Sequence, residues 1–246
     1  DDIVVVSEKA ISTATGNIVD EKFVEPSLMA SFLAKYWMRY IWVYMLGSLC
    51  HLRKRTIDHL RNYPNKEGSA HKQVALRCGG FLQALMHGSE HGIDGSNLPY
   101  SYVSLPLHNP YSIAENVRSR IKDILGTKVV VMIVDTDKTY SWKNFYFTPR
   151  PKPIKGIASV GGVIAYVVGR ALKLKKRATP LAIVGAKINV EKAIEIAELA
   201  NRARGFGAGR TVWDMAKTFD VSLAAVSWKM LEKTEHKPIV IVKRFI

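Results

Sequence analysis

The pattern of apolar and polar positions predicts a chain in which strands and helices are mixed. An apolar, β-branched run at residues 128–134 has the pattern of a strand that is buried on both faces. Apolar residues at helical spacing from 111 to 125 stop at Gly126, a typical helix end. The expected strands are residues 3–6, 10–19, 73–78, 128–134, 181–184 and 238–242. The expected helices are residues 27–61, 111–125, 190–204 and 211–231. This mixture predicts an α+β or mixed α/β fold.

One expected helix contains an unusually apolar and aromatic segment. Residues 40–50 carry no charge, and Lys35 and Arg39 lie just before them. About eleven residues are too few to cross a bilayer, which takes roughly 20. We therefore expect no membrane span, and interpret the segment as a core helix or a dimer interface. A helix lying on a membrane surface stays open, because a basic segment follows at residues 51–55.

Prolines mark the expected boundary between two parts of the chain. Pro149, Pro151 and Pro153 punctuate a basic stretch after a polar and aromatic segment. We expect an N-terminal region at residues 1–148 and a C-terminal α/β region at residues 149–246. The two would pack intimately, or form one domain.

Composition adds a preference for anionic ligands. The chain has 246 residues, 48% of them hydrophobic, so it can bury a substantial core. It has 36 basic and 21 acidic residues, a net charge of +15, which attracts nucleotides, phosphorylated coenzymes and other polyanions. No interleaved basic and aromatic surface can be identified, so nucleic acid is not the favoured partner. Cys50 and Cys78 lie far apart, which favours a reduced, cytoplasmic protein without disulfides.

Three short polar stretches are the candidates for chemistry. They are residues 92–99, residues 108–110, and residues 133–137 at the end of the most apolar run. Oxygen-rich side chains at the mouth of a buried strand are suited to hold a metal ion or a phosphate. Asp94 and Asp135 are therefore the expected catalytic residues.

The same stretches resemble the coenzyme F(420)-0:γ-glutamyl ligase family. Residues 92–97 are similar to the family's G-V-D-x-S-N loop, and residues 131–136 to its strand that ends in Asp-Thr. Residues 105–114 align with an L-P-x-D-P-D-x-x-A segment, and residues 2–19 with the opening strand pair. The chain is similar over most of its length, and the first two motifs are the diagnostic ones.

The resemblance implies a homodimeric enzyme with mixed sheets and flanking helices. Its substrates would be GTP, glutamate and a phosphorylated deazaflavin coenzyme, joined with the help of Mg²⁺ or Mn²⁺. The nucleotide activates a carboxylate, and the amine of glutamate then displaces phosphate. The implied nucleotide- and coenzyme-binding residues are Lys9, Ser96, Asn97, Thr136 and Arg210. The implied metal ligands are Asp135, Thr136, Asn109 and Glu90.

The chain departs from the family pattern at several of these positions. Asn109 stands where the family has a metal-binding Asp, and Glu90 would restore that carboxylate. After Thr136 the family has an arginine-rich Gly-Arg-Pro-Trp-Arg segment, whereas this chain has a Trp and a Lys but no paired arginines. The alternative is therefore a catalytically degenerate member that binds nucleotide or coenzyme without turnover.

Two other motifs suggest different chemistry. His87, Glu90 and His91 fit H-x-x-E-H, the pattern of a zinc hydrolase, which needs both histidines on one face of a helix. Gly88 and Gly92 are poor helix residues, so the zinc interpretation is the less favoured one. The glycine-rich residues 205–209 before a helix are interpreted as a turn or, less favoured, as a phosphate cradle.

Overall fold

A mixed sheet of six strands forms the centre of the molecule in the computed structural model, which describes residues 2–88 and 90–243. The strands are β1 (Ile3–Ser7), β2 (Ile18–Asp20), β3 (Tyr102–Ser104), β4 (Val130–Trp142), β5 (Phe145–Thr148), β6 (Ala158–Ser159), β7 (Lys175–Val184) and β8 (Ile239–Val242). The α-helices are α1 (Glu8–Ala14), α2 (Leu28–Phe32), α3 (Gly47–Leu49), α4 (Lys54–Arg61), α5 (Asn65–Gly79), α6 (Phe81–Ala84), α7 (Pro110–Leu125), α8 (Gly162–Ala171), α9 (Val190–Ala203), α10 (Val212–Phe219) and α11 (Trp228–Leu231). A π-helical segment, Leu33–Leu46, joins α2 to α3.

The sheet is organised around β4. It pairs parallel with β1 over residues 130–134 and antiparallel with β7 over residues 131–141. Because β7 occupies one edge of β4, β1 and the antiparallel β5 share the opposite edge. β8 is antiparallel to β1, and β6 is parallel to β5. β2 and β3 form a separate antiparallel pair.

Helices cover both faces of this sheet. Val131 and Ile133 face one side and pack with Ala114 of α7, while Met132 faces the other side and packs with Ile194 of α9. This alternation is the two-residue period of a strand. The predicted strand at residues 128–134, buried on both faces, is present, but it begins at Val130 and continues to Trp142. The predicted α7, α9 and β8 are also confirmed.

A second core lies among the helices outside the sheet. The continuous helix at residues 28–49, which we call the aromatic helix, buries Leu33, Met38 and Trp42 against α5, α6 and α8. The indole N–H of Trp42 donates to the carbonyl of Leu85 at 2.7 Å. The expected helix at residues 27–61 is therefore wrong at residues 50–53, where the chain leaves the helical conformation before α4.

Three other predicted elements are corrected by the structure. Residues 10–14 belong to helix α1, because Glu8, Ile11 and Ser12 are buried at spacings of three and four. Residues 73–78 are the end of helix α5 and not a strand. The expected helix at residues 211–231 is two helices, since Asp220 adopts a left-handed conformation (φ 53°) and ends α10.

The predicted fold class is confirmed: the structure is mixed α+β, with parallel and antiparallel pairing and flanking helices. Strands from both sides of residue 148 pair in the central sheet, and the division into two regions stays a prediction. In the described part of the chain, no helix is long and apolar enough to cross a membrane.

Candidate functional site

A cleft of about 410 Å³ opens between the sheet and the helices around the aromatic helix. Its walls come from α4, α5, residues 87–88 and 90–103, the middle of β4 and the start of α10. Ser7 ends β1 beside Val134 of the parallel β4, so Asp135 follows the carboxyl end of a parallel strand pair. Ligand sites of α/β sheets are commonly found at this edge. Six predicted site residues line the cleft: Glu90, Asp94, Ser96, Asp135, Thr136 and Arg210.

Asp94 is held by the helix that follows β1. The Nζ of Lys9 donates to Asp94 Oδ2 at 2.6 Å, to Ser96 Oγ at 2.7 Å and to the Ser96 carbonyl at 2.8 Å. Asp94 Oδ1 accepts from the backbone N–H of Ser96 at 2.7 Å. Burial would raise the pKa of Asp94, but Lys9 and these hydrogen bonds lower it below its ordinary value. Asp94 is thus a fixed anion at the cleft wall.

Asp135 shares one arginine with a second buried carboxylate. Arg150 Nη2 lies 2.5 Å from Glu8 Oε1, and Arg150 Nε lies 2.9 Å from Asp135 Oδ2, an ion pair without hydrogen-bond geometry. Glu8 and Arg150 are each 3% exposed. Burial raises the pKa of Glu8 to about 7; Arg150 opposes this rise, and the charge of Asp135 adds to it. Two carboxylates therefore share one buried guanidinium through different nitrogens.

Glu90 belongs to a different charge cluster, on the helical side of the cleft. Its Oε1 accepts from the fully buried Lys72 Nζ at 2.7 Å, and its Oε2 lies 3.6 Å from His71 Nε2. The Nδ1 of His71 lies 2.7 Å from Glu21 Oε1. Burial lowers the pKa of His71, but Glu21 and Glu90 outweigh it and raise that pKa to about 10. Burial alone would raise the pKa of Glu90, whereas Lys72 and His71 lower it well below its usual range.

An arginine that sequence reasoning did not select lies on the other side of the Asp135–Thr136 segment. Arg204, at the end of α9, donates to Ser7 Oγ at 2.9 Å and to Asn201 Oδ1 at 3.3 Å. Together with Asp135 and Thr136 it lines a small pocket of about 20 Å³. Burial lowers its pKa, and the charges of Asp94 and Asp135 act in the opposite direction. This arginine supplies positive charge beside both predicted catalytic carboxylates.

Three predicted site residues do not line the cleft: Lys9, which holds Asp94 from behind, Asn97 and Asn109. Asn109 is exposed and caps α7, since its Oδ1 accepts from the backbone N–H of Ser112 at 3.2 Å. Asn97 uses its amide to hold the glycine-rich stretch: its Oδ1 accepts from the Ala208 N–H at 2.7 Å. Its Nδ2 donates to two carbonyls there, of Phe206 at 3.1 Å and Gly209 at 3.2 Å. That stretch is therefore a supported turn beside the 92–97 loop, and the binding roles of Asn97 and Asn109 stay predictions.

The zinc-hydrolase arrangement is not formed. Helix α6 ends at Ala84, and His91 has a left-handed backbone (φ 58°), so the two histidines do not share a helix face. His87 Nε2 lies 2.9 Å from the Tyr166 hydroxyl, and burial lowers the pKa of His87 to about 4. Among the described residues, no group of three or more His, Cys, Asp or Glu side chains could hold a metal ion. The interpretation of His87, Glu90 and His91 as zinc ligands with a general base is therefore wrong in geometry.

Sequence reasoning missed the residues that hold the predicted ones in place. They are Glu8, Lys72, Arg150 and Arg204. Glu8 lies next to Lys9 in the segment that resembles the family's opening, and this was the available signal. The other three stand in basic or helical stretches whose composition is the same as that of a solvated surface.

The chain is similar to known proteins over nearly its whole length. The family model described as F(420)-0:gamma-glutamyl ligase matches residues 1–243. An uncharacterized protein of Methanocaldococcus jannaschii is 37% identical over 252 residues, covering 98% of this chain and 84% of that protein. The match runs through β1, the 92–97 loop and the end of β4, the elements that build the cleft. The chain therefore belongs to the F(420)-0:gamma-glutamyl ligase family.

Proposed function

We propose that the protein is a GTP- and metal-dependent ligase that attaches glutamate through an amide bond to a phosphorylated deazaflavin coenzyme or a related carboxylate. The observation that carries the proposal is the family membership over residues 1–243, joined to a cleft that brings Asp94 and Asp135 together. The net charge of +15 supports anionic substrates. A cytoplasmic location stays a prediction; Cys50 and Cys78 are free thiols.

The reaction has two steps in this proposal. A carboxylate oxygen of the coenzyme attacks the γ-phosphorus of GTP, and the bond to GDP breaks to give an acyl phosphate. The deprotonated amine of glutamate then attacks the acyl carbon, and inorganic phosphate leaves. Negative charge develops on the phosphoryl oxygens, so the contribution of the chain is positioning and positive charge. Lys9 and Arg204 supply that charge beside Asp94 and Asp135.

The carboxylates have different roles in this scheme. A lowered pKa makes Asp94 a poor proton acceptor, so its role is to hold Lys9 and the Ser96 backbone in place. Asp135 and Thr136 would hold the divalent cation, which would neutralise phosphate charge when bound. Mg²⁺ commonly takes one or two protein carboxylates and completes its shell with phosphates and water. The oxygen donors at the end of the β1–β4 pair fit such a cation, although the described residues contain no cluster of three His, Cys, Asp or Glu ligands.

The test is product formation. Purified protein is incubated with GTP, MnCl₂, glutamate and the deazaflavin coenzyme, and the coenzyme is analysed by mass spectrometry. The expected product is heavier by one or more glutamyl residues, with GDP formed only when all substrates are present. If neither product nor nucleotide-dependent thermal stabilisation is observed, the ligase and every nucleotide-binding variant of it are rejected.

A second candidate is a member that binds without turnover. Asn109 replaces a family carboxylate, caps α7 and stays outside the cleft lining, and this favours a weakened metal site. Glu90 does not offer a spare carboxylate, because Lys72 and His71 engage it. Thermal stabilisation by GTP with Mn²⁺ but no amide product would select this candidate over the ligase.

We also propose that the protein is a homodimer that packs through the aromatic helix. Eight side chains on its outer face are 45–92% exposed: Leu28, Met29, Phe32, Tyr36, Tyr40, Tyr44, Met45 and Leu49. Aromatic side chains cover roughly 150–250 Å² each. If about half of each ring's surface lies on the outer face, the four rings and the four aliphatic side chains together approach the roughly 800 Å² per partner of a standard interface. Lys35 is the one charged residue among the exposed positions of the described helix.

The dimer is tested by light scattering coupled to size-exclusion chromatography. Tyr40→Lys places a charge in the middle of the face and should convert the dimer to a monomer. Ile124→Lys is the matched control, since Ile124 of α7 is 76% exposed but lies outside the aromatic helix. A wild-type monomer, or a dimer that Tyr40→Lys leaves intact, would reject this interface.

A further inference from the structure

The contacts of Arg150 join three segments that are far apart in the sequence. Its guanidinium reaches Glu8 at the start of α1 and Asp135 in β4. Its Nη1 also donates to the carbonyl of His91, directly before the 92–97 loop. Because a guanidinium is a rigid, planar group, one side chain fixes the relative placement of two hydrogen-bond acceptors, Glu8 and the His91 carbonyl, and of the ion-paired Asp135.

The backbone that carries Arg150 is itself held in place. The Thr148 hydroxyl donates to the Lys138 carbonyl at 3.1 Å and accepts from the Arg150 N–H at 3.1 Å. Gln83 Nε2 donates to the Pro149 carbonyl at 2.6 Å, and the side-chain oxygen of the same residue accepts from the His91 N–H at 3.2 Å. The peptide groups on both sides of His91 are thus held, by Gln83 through the N–H and by Arg150 through the carbonyl.

Gly92 allows this close approach. It has φ +80°, and a Cβ added there would lie 2.7 Å from the Arg150 Cζ. Any larger residue would push the guanidinium away from its acceptors. The first glycine of the 92–97 loop therefore belongs to the same arrangement as Arg150.

The hairpin of β4 and β5 explains how Arg150 reaches the cleft. β4 continues for seven residues beyond Asp135, and β5 returns antiparallel to it over Phe145–Thr148. The return brings residue 150 back beside residue 135. Arg150 therefore pairs with Asp135 at a separation of 2.9 Å through the turn of one hairpin.

We propose that Arg150 is the positioning residue of the cleft, which holds the 92–97 loop and Asp135 in register with each other. This inference rests on the proposed function for its catalytic consequence, but the anchoring of the loop is testable without any activity. It predicts that loss of Arg150 loosens residues 91–97 before it loosens the rest of the fold.

The test compares two buried arginines by hydrogen exchange with mass spectrometry. Arg177 is the matched control: it is 4% exposed and binds Glu191 through both side-chain oxygens, at 2.7 and 2.8 Å, away from the cleft lining. Arg150→Met should speed exchange in peptides covering residues 91–97 by about tenfold or more. Arg177→Met should leave those peptides at the wild-type rate. Wild-type exchange in Arg150→Met, or equal acceleration in both variants, overturns the proposal.

A second variant tests the proposal if Arg150→Met does not fold. Glu8→Gln combined with Arg150→Met removes one buried carboxylate together with the guanidinium, and Gln keeps an oxygen for the Leu107 N–H. The same local acceleration is expected, and its absence overturns the proposal. If the ligase reaction is present, kcat should fall by about tenfold or more in the variants while the KM for GTP changes less than threefold. Absence of ligase activity in the wild type rejects the proposed function and leaves the exchange result unaffected.

Discussion

The ammonium of Lys9 lies 2.6 Å from the carboxylate of Asp94, although 85 residues separate them in the sequence. The pair is partly buried, with 13% and 30% of the two side chains exposed. It connects the helix after β1 with the 92–97 loop, and Lys9 also contacts both polar oxygens of Ser96. The pair therefore has a structural role that can be measured without substrates.

Lys9→Met should destabilise the protein more than the loss of an exposed lysine. Removing Lys9 leaves Asp94 in place without its charged partner, which costs roughly 1.5–3 kcal/mol for a charge-assisted hydrogen bond. The free energy of unfolding, measured with urea at pH 7, tests this. The control is Lys192→Met, whose exposed pair with Glu195 has a 3.7 Å separation and is worth less than about 1 kcal/mol. Equal losses in the two variants would contradict the assigned role.

Asp135→Asn should abolish most of the proposed activity with little loss of fold. The amide keeps the shape but removes the charge that faces Arg150 and the cleft. We expect kcat to fall by roughly 100-fold or more, the size of losing one electrostatic contact at a reacting phosphoryl group. Affinity for Mn²⁺, followed by electron paramagnetic resonance, should fall in parallel. Asp123→Asn, at an exposed position of α7, is the control; activity retained in Asp135→Asn would remove Asp135 from the mechanism.

The parts of the fold that the sequence predicts are those encoded by local burial. Residues 130–134 form a strand whose two faces are both covered. The helix before it ends at Gly126, which adopts the left-handed conformation that a helix end favours (φ 65°). The pattern of residues 10–14 led to a wrong strand prediction, because a short apolar or β-branched run fits a strand or a helix. Their helix is selected by tertiary contacts of Glu8 and Ser12 with the segment at residues 105–107.

The candidate site was predictable in its loops but not in its charge partners. Asp94 and Asp135 stand out because polar residues follow turn signals or a buried strand. Glu8 and Arg150 are 142 residues apart, and nothing in the local pattern pairs them. Lys72 has the helical surroundings of a surface lysine, yet the fold buries it completely beside Glu90. Electrostatic pairing depends on distances in the finished fold, which periodicity does not encode.

Glu8 should make stability fall as the pH rises from about 4.5 to about 7. Its folded pKa is about 7 against an ordinary 4.5, because burial disfavours the charged form. Between these values the folded protein binds more protons than the unfolded chain, so this group lowers stability by up to about 1.4 kcal/mol per pH unit. His71, with a pKa raised to about 10, loses its stabilising contribution only above about pH 6.5.

The experiment for Glu8 is urea unfolding at pH 5 and pH 6.5 in the wild type and in Glu8→Gln. The variant has no proton to exchange, so its stability should fall less between the two values than that of the wild type. Glu115→Gln, on the exposed surface of α7, should follow the wild type. An unchanged slope in Glu8→Gln would show that the Arg150 charge, and not burial, controls this carboxylate.

Arg204 and Arg202 offer the sharpest comparison for substrate binding, because they lie two residues apart on the same helix end. Arg204 donates to Ser7 Oγ, and the charges of Asp94 and Asp135 interact favourably with its guanidinium. Arg202 is 76% exposed and pairs with Glu198. If Arg204 binds a phosphate or carboxylate of the substrates, Arg204→Met loses a charge-assisted hydrogen bond of roughly 1.5–3 kcal/mol. The KM of an anionic substrate should then rise by about 10- to 100-fold, and its dependence on salt should become weaker.

Arg202→Met should change neither value by more than about twofold, since exposed pairs contribute little. Steady-state kinetics at two concentrations of KCl, with GTP and the coenzyme varied separately, measures both effects. Equal KM values in the two variants would mean that Arg204 only joins α9 to β1.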